Sequence, residues 1–255
     1  MAVVELERRG QIALVTFNRP DARNAVSPEV SEAMAKILDE VEDDSALRAV
    51  VLTGRGEVFC AGADLKVVAQ GRANDIARGK GGFGGIVNRD FPKPIIAAVN
   101  GPALAGGFEV VLACDLVVAA DTARFGIPEV KRGLMAAAGG LIRLPKRVPL
   151  AMALELAMTG DPIDAARALQ LGLVNRVVAA DRVVAEAIAL AERIGENSPI
   201  AVRNSRQLVR EAAEMSESEG WARTIELMMP VFESGDSLEG ATAFAEKRAP
   251  VWRST

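Results

Sequence analysis

The chain opens on two short apolar-polar stretches, Val3–Glu7 and Ile12–Phe17, either side of Arg9-Gly10, which predict a strand pair around a turn. Ser27-Pro28 then reads as a helix start, a serine N-cap with proline at the first helical position. Val30, Met34, Ile37, Leu38 and Val41 recur at helical spacing, so the helix runs to about Asp43 with that face inward. Ala49–Leu52 reads as a short buried strand ended by Thr53-Gly54. Between residues 69 and 85 the pattern fades, and the run GRANDIARGKGGFGG reads as a mobile loop or a frayed helix. Pro94–Val99 is the next strand, closed by Asn100-Gly101-Pro102; Leu104–Ala113 reads as a helix and Leu116–Ala119 as a strand.

From Asp161 onward the pattern is helical. Asp161-Pro162 is expected to cap a helix ending near Gly172. Helices follow over about 182–195, 199–214 and 218–233, and Asp236-Ser237-Leu238-Glu239 opens a last one with capping-box-like spacing. The alternation of strand, glycine turn and helix predicts an α/β core over residues 1–195. Residues 196–255 read as a helical appendage.

Composition changes this picture mainly by what it lacks. The 255 residues contain no histidine and no tyrosine, so nucleophile machinery built on histidine is excluded. The cysteines are two, Cys60 and Cys114, too few to fill a tetrahedral zinc shell or build a disulfide framework. That points to no metal and to a reducing, cytoplasmic setting. Proton chemistry falls to Asp, Glu, Lys or Cys. The net charge is −4 with no basic tract, which argues against nucleic acid. The first residues, MAVVELERRG, carry acids where a signal peptide needs an apolar core. The longest apolar run, Val110 to Ala120, is broken by Asp115, so no membrane span is expected.

Two acids stand out. Glu109 lies in AGGFE, after a glycine turn that should start a helix, and Glu129 lies in FGIPE, after a strand and a proline. Burial in such apolar settings raises a carboxyl pKa and suits acid–base work near neutrality. The alternative is that each caps a helix or pairs with Arg124, Arg132 or Arg143. Gly106-Gly107 would turn backbone amides outward at a helix start. FCAGADLK, residues 59–66, offers Ala63 as a second amide, and two such amides could form an oxyanion hole. Tight helix-on-sheet packing would explain the same small residues. Cys60 follows Val58-Phe59 with no activating histidine and reads as a buried hydrophobe. GKGGFGG lacks the spacer and the Lys-Ser/Thr ending of a phosphate loop. Arg19, Arg23, Lys66, Arg72, Lys80 and Lys247 are available cations for ligand phosphates.

In this order NRPDARNAVS, GRGEVFCAGADL, KPIIAAVNGPALAGGFEVVLACDLVVAAD, ARFGIPEVKRGL, TGDPIDAARALQLGLVNRVV and FAEKR resemble the crotonase, or enoyl-CoA hydratase/isomerase, family over nearly the whole chain. The resemblance implies a spiral of ββα units followed by a C-terminal helical trimerisation region. It implies an acyl-CoA thioester ligand, no separate cofactor, and a homo-oligomer, a hexamer built as two trimers. It makes Ala63 and Gly106 the oxyanion-hole amides and Glu109 and Glu129 the catalytic acids and bases of a hydratase. Ala22, Arg23, Ala25, Ala61, Asp64 and Leu65 would form the wall holding adenine and pantetheine. Phe244 and Lys247 would reach CoA, in some members across a subunit boundary. One loop departs from the hydratase pattern: Ala136-Ala137-Ala138-Gly139-Gly140-Leu141 stands where Pro-Gly-Ala-Gly-Gly-Thr is typical, beside the acyl pocket. This leaves an enoyl-CoA isomerase, a specialised hydroxyacyl-CoA dehydratase, or a non-catalytic relative that binds acyl-CoA or RNA as alternatives to hydration.

Overall fold

The computed structural model describes residues 2–253. Its strands are β1 (Val4–Arg9), β2 (Ile12–Phe17), β3 (Ala49–Gly54), β4 (Ile95–Val99), β5 (Ala103–Leu104), β6 (Leu116–Ala120), β7 (Arg124–Gly126), β8 (Ile163–Asp164) and β9 (Arg176–Val178). They form a six-stranded sheet in the order β1-β2-β3-β4-β6-β9 and a small sheet in the order β5-β7-β8. In the large sheet β1 pairs antiparallel with β2, and every later pairing is parallel. β3 and β4 are buried at every residue, as strands covered on both faces must be. The spiral arises because successive strand pairs are shared out: β4 and β6 enter the large sheet, and β5 and β7, which follow them, enter the small one.

The helices are α1 (Pro28–Asp43), α2 (Leu65–Ala69), α3 (Ala73–Ile76), α4 (Gly106–Ala113), α5 (Gly140–Arg143), α6 (Leu150–Thr159), α7 (Ala165–Gln170), α8 (Val183–Gly195), α9 (Pro199–Ala212), α10 (Glu217–Glu233) and α11 (Asp236–Glu246). α8 packs across β3, β4 and β6 with Val183, Ala187 and Ala191 buried. All eight residues of α4 are buried, so this helix carries its residues through the centre of the molecule. α9, α10 and α11 pack in succession as the C-terminal helical region. Among the described residues no helix is long and apolar enough to cross a membrane.

Several local expectations are revised. Asp161 does not cap a helix; Ile163–Asp164 is strand, and the Asp164 side chain accepts the Arg167 N–H to cap α7. Asp236 is not an N-cap either. Gly235, at φ 78°, occupies that position, and the buried Asp236 carboxylate accepts from Ser198 Oγ at 2.7 Å. The capping box belongs to α10, where Ser216 and Glu219 bond reciprocally. Leu104 ends a strand, and the helix after it begins at Gly106.

The segment 69–85 is more regular than its composition suggests, because Ser31 of α1 ties it down. The buried Ser31 hydroxyl donates to the Ile76 carbonyl at 2.6 Å and accepts the Gly84 N–H at 3.1 Å. Gly85, at φ 68°, lies so close to α1 that a methyl there would come 2.3 Å from the Ser31 carbonyl oxygen. Gly10, at φ 58°, has open space around it. Urea unfolding should therefore rank the two alanine variants. Gly10→Ala is expected to cost about 1 kcal/mol from its left-handed backbone alone. Gly85→Ala adds overlap with α1 and should cost about 3 kcal/mol or more.

Candidate active site

Residues 60–64 are held from both sides by backbone hydrogen bonds. On one side the Cys60 N–H donates to the Pro102 carbonyl, and the Leu104 N–H donates to the Cys60 carbonyl at 3.0 Å. On the other, the Ala61 N–H donates to Arg23 O, the Val26 N–H to Gly62 O and the Asp64 N–H to Val26 O. The Gly62 N–H meets the Cys60 sulfur at 3.5 Å. This accounting leaves the Ala63 N–H without an acceptor among the described residues.

The Gly106 N–H is in the same condition. It is the first amide of α4, and Ala105 before it holds φ 53° and ψ −132°, a conformation alanine rarely adopts. The Ala105 N–H is anchored on Gly126 O at 2.9 Å, while its carbonyl accepts from Phe108 and Glu109. Gly62, at φ 94°, presses against this corner: a methyl on it would lie 2.7 Å from Ala105 Cβ and 3.0 Å from the Gly106 nitrogen. The two unpaired amides therefore sit on touching loops. Gly106 must lack a side chain because the Phe83 ring covers it; a methyl there would meet Phe83 Cζ at 2.3 Å.

Both carboxylates line the same cavity of about 820 Å³. Glu109, on the first turn of α4, is 3% exposed. Its Oε1 accepts the N–H groups of Ala138 and Gly140, each at 2.8 Å, which leaves Oε2 for a ligand. Burial raises its pKa, opposed by those two amides and by the Arg143 charge. Glu129 sits on a 3-10 turn, Pro128–Arg132, with Oε2 buried and unpartnered among the described residues. Burial pushes the Glu129 carboxyl up to about 7; its own backbone N–H opposes this and the Glu109 charge adds to it. Neither acid caps a helix through its side chain, and neither forms an ion pair among the described residues. Two carboxyls whose pKa values burial raises, in unlike polar surroundings and next to two carbonyl-polarising amides, are equipped for acid–base work on a carbonyl compound.

Ala22, Arg23, Ala25, Ala61, Ala63, Asp64, Leu65 and Gly106 all line the cavity. Phe244 and Lys247 do not; Phe244 is 87% exposed on α11 and Lys247 follows it in a left-handed turn. Of the cations considered, Arg19, Arg23 and Lys66 reach the wall. Arg72 instead pairs with Asp75, and Lys80 with Asp39. Asp64 is doubly engaged, accepting from Arg19 Nη2 at 3.0 Å and from the Lys66 N–H at the start of α2. Asn24 belongs to the same stretch as Ala22, Arg23 and Ala25, and its role is to support them. Buried at φ 54°, it donates to the carbonyls of Arg55 and Val58 and accepts the Arg19 N–H, fixing the turn that presents Ala22, Arg23 and Ala25. Asn24 lies between Arg23 and Ala25, and asparagine tolerates left-handed backbone. Among the described residues no group of three or more Cys, Asp and Glu is placed to hold a metal ion.

The raised pKa of Glu129 makes a stability prediction. Its protonated form favours the folded chain fully below the unfolded carboxyl value of about 4.3. That stabilisation is lost as pH rises through about 7. Glu129→Gln should thus melt with the native protein near pH 4 and above it at pH 8. Solvent screening at this half-buried site limits the gain to about 1 kcal/mol, or about 2–4 °C by calorimetry.

The family model for enoyl-CoA hydratase/isomerase matches residues 7–255. The crystal structure of enoyl-CoA hydratase from Mycobacterium tuberculosis H37Rv superposes with a TM-score of 0.95 at 47% identity, covering 100% of both chains. The crystal structure of carnitinyl-CoA hydratase from Mycobacterium avium gives a TM-score of 0.77 at 46% identity, covering 99% of each. Carnitinyl-CoA dehydratase of Proteus mirabilis (strain HI4320) is 41% identical over 256 residues, 98% of each chain. With the paired sheets, the C-terminal helices and a match along nearly its full length, the chain belongs to the enoyl-CoA hydratase/isomerase, or crotonase, family.

Proposed function

We propose that this protein is an enoyl-CoA hydratase, adding water reversibly and syn across the 2,3 double bond of a 2-enoyl-CoA to give the 3-hydroxyacyl-CoA. The observation that carries this reading is the meeting of two unpaired amides, Ala63 and Gly106, with two carboxylates of unlike environment in one cavity. The amides donate to the thioester oxygen as it gains charge, which makes the β-carbon electrophilic. Glu109 Oε2 takes a proton from water as the water oxygen bonds the β-carbon. Glu129 gives its proton to the α-carbon as the enolate collapses. Each turnover leaves Glu109 protonated and Glu129 ionised, and proton exchange restores the pair. The same steps run backwards dehydrate a 3-hydroxyacyl-CoA.

The carnitinyl-CoA relatives raise a second reading, in which the acyl group carries a quaternary ammonium. The cavity near Glu109 favours a neutral chain. Phe83, Val87, Leu134, Met135, Ala137 and Ala138 line it, and Phe83 is its one aromatic ring. A quaternary ammonium is held by several aromatic faces or by spare carboxylates. Here Asp21 and Asp64 lie on the wall with Ala22 and Leu65, and the other two lining acids are the working pair. Arg132, which has no ion pair among the described residues, adds a repelling charge. A fixed cation beside Glu129 would also favour its ionised form and remove the proton it has to deliver.

The proposed protein works as a homo-oligomer, a hexamer of two trimers in the cytoplasm, binding neither nucleic acid nor membrane. Trp221, Ile225, Met228 and Phe232 support assembly, as they make an exposed apolar stripe along α10 at the spacing of one helix face. Phe244 and Lys247 stand clear of their own chain's cavity and are free to complete a neighbour's CoA site. Sedimentation velocity should show no monomer at micromolar concentration, and a monomer alone would remove this part of the proposal.

Loss of the conjugated enoyl-thioester absorbance tests the reaction itself. A panel of straight-chain 2-enoyl-CoAs and crotonobetainyl-CoA should give turnover on the neutral chains, at least tenfold faster in kcat/KM than on the cation. Glu109→Gln and Glu129→Gln should each lower kcat by roughly 10²–10⁴-fold. The native rate should fall above about pH 7 as Glu129 ionises. Preference for crotonobetainyl-CoA would establish the carnitinyl reading, and a shifted double bond in the product would establish an isomerase.

A further inference from the structure

The loop that grips Glu109 is itself gripped from beneath. Arg143, the last residue of α5, sends Nη1 to the Ala138 carbonyl at 3.3 Å and Nη2 to the Val87 carbonyl at 2.5 Å. Ala138 and Val87 both line the cavity, and one guanidinium joins them. Packing leaves the connection little slack. Gly139 holds φ 99°, and a methyl on it would fall 2.1 Å from Arg143 Nη1. A methyl on Gly140 would fall 3.0 Å from Glu109 Oε1. The two glycines thus let the arginine in from one side and the carboxylate from the other. A planar, five-donor guanidinium can span two carbonyls in a way a lysine cannot.

The charge of Arg143 is as notable as its hydrogen bonds. It is half-buried and has no ion pair among the described residues. Its neighbours are mostly cationic: Arg147, which donates to the Cys114 carbonyl, and Arg210, which pairs with Asp115. The opposing charge that acts on it is Glu109; the nearby Cys114 thiol, pushed up to about 12 by burial, stays protonated near pH 7. Glu109 in turn faces Arg143 through the 138–140 loop and Glu129 across the cavity, where Arg132 also lines the wall. A half-buried arginine without a carboxylate partner costs desolvation energy that a purely structural contact to two carbonyls would meet poorly.

We propose that Arg143 is a positioning residue for Glu109: by clamping the Ala138 carbonyl to the Val87 carbonyl it sets the two amides that hold Glu109 Oε1, and its charge adds to their support of the carboxylate. Glu109 receives two loop amides and the cation; Glu129 receives only its own backbone N–H. The inference rests on the hydratase reading for its catalytic meaning, and on geometry alone for the link between Arg143 and Glu109.

Arg143→Met removes both clamp and charge, and Arg143→Lys keeps the charge but not the two-carbonyl geometry. On the preferred enoyl-CoA, Arg143→Met should lower kcat about 100-fold with KM changed less than threefold. Removing a nearby positive charge makes Glu109 harder to ionise, so the acidic limb of its kcat/KM profile should move about one pH unit upward. Arg143→Lys should return that limb to the native position while recovering only part of kcat. Carboxyl infrared titration of both variants, with Glu109→Gln to identify the band, reads the same shift without turnover. If the native protein hydrates no enoyl-CoA yet the Glu109 band still moves in Arg143→Met, the reaction reading fails and the positioning role stands. If the native protein is active and both variants keep its kcat and pH profile, the positioning role is wrong. A fall in kcat with unmoved limb and band would also overturn it, by reducing Arg143 to a packing contact. Should Arg143→Met fail to fold, Arg143→Lys decides the question: native kcat in that variant rejects the clamp.

Discussion

Backbone hydrogen bonding on both edges of residues 60–64 is the constraint from which the site follows. Arg23 and Val26 take up one edge and Pro102 and Leu104 the other, so the segment behaves as a strand too short to join either sheet. With every other amide spoken for, Ala63 is the residue whose N–H must look elsewhere. The same bracket brings the first β–α turn after β2 against the turn that starts α4, two parts of the chain about 80 residues apart. Small residues at Ala61, Gly62 and Gly106 are the condition for that approach, since bulk at either glycine would overlap the facing loop or ring.

The carboxylates are differentiated by the polar groups offered to them rather than by depth. Glu109 is the more buried of the two, yet it receives two amides and a cation, while Glu129 is left with its own backbone N–H. Desolvation acts on both, and hydrogen bonding to the charged form decides between them. In the proposed reaction this asymmetry lets one fold hold a base and an acid of the same residue type near neutral pH. It also gives a physical meaning to the unusual 136–141 loop: Ala137 and Ala138 line the cavity, and the amides of Ala138 and Gly140 serve the carboxylate.

Much of this was legible in the chain. Ile12–Phe17 and the Ser27-Pro28 helix start are where apolar periodicity and cap chemistry put them, because both signals are local. The Glu pair and the glycine turn were visible as residue types in context, and the resemblance joined Ala63 to Gly106. What sequence could not separate were equal local signals with different surroundings. Ser216-x-x-Glu219 and Asp236-x-x-Glu239 share a spacing, but only the first is a cap, since Gly235 and the buried bond to Ser198 claim the second. The two-residue strand Ile163–Asp164 exists because Arg124 and Phe125 lie beside it, which no local pattern reports. Nor could Arg143 be distinguished from other surface-looking arginines, as its partners are carbonyls brought in by the fold.

The cysteine of FCAGADLK is the first residue of this bracket, and its sulfur is fully buried, bonded by the Gly62 N–H and absent from the cavity wall. Burial holds its thiol at about 12, far from ionisation. A conjugated thioester is a Michael acceptor, and a thiolate near it would add to the same carbon that water is meant to reach. Turned inward and kept protonated, Cys60 fills space under the loop without becoming an alkylation target. An enzyme with this arrangement should survive many turnovers on a soft electrophile, and should stay indifferent to thiol-directed inhibitors that would silence a cysteine facing the other way.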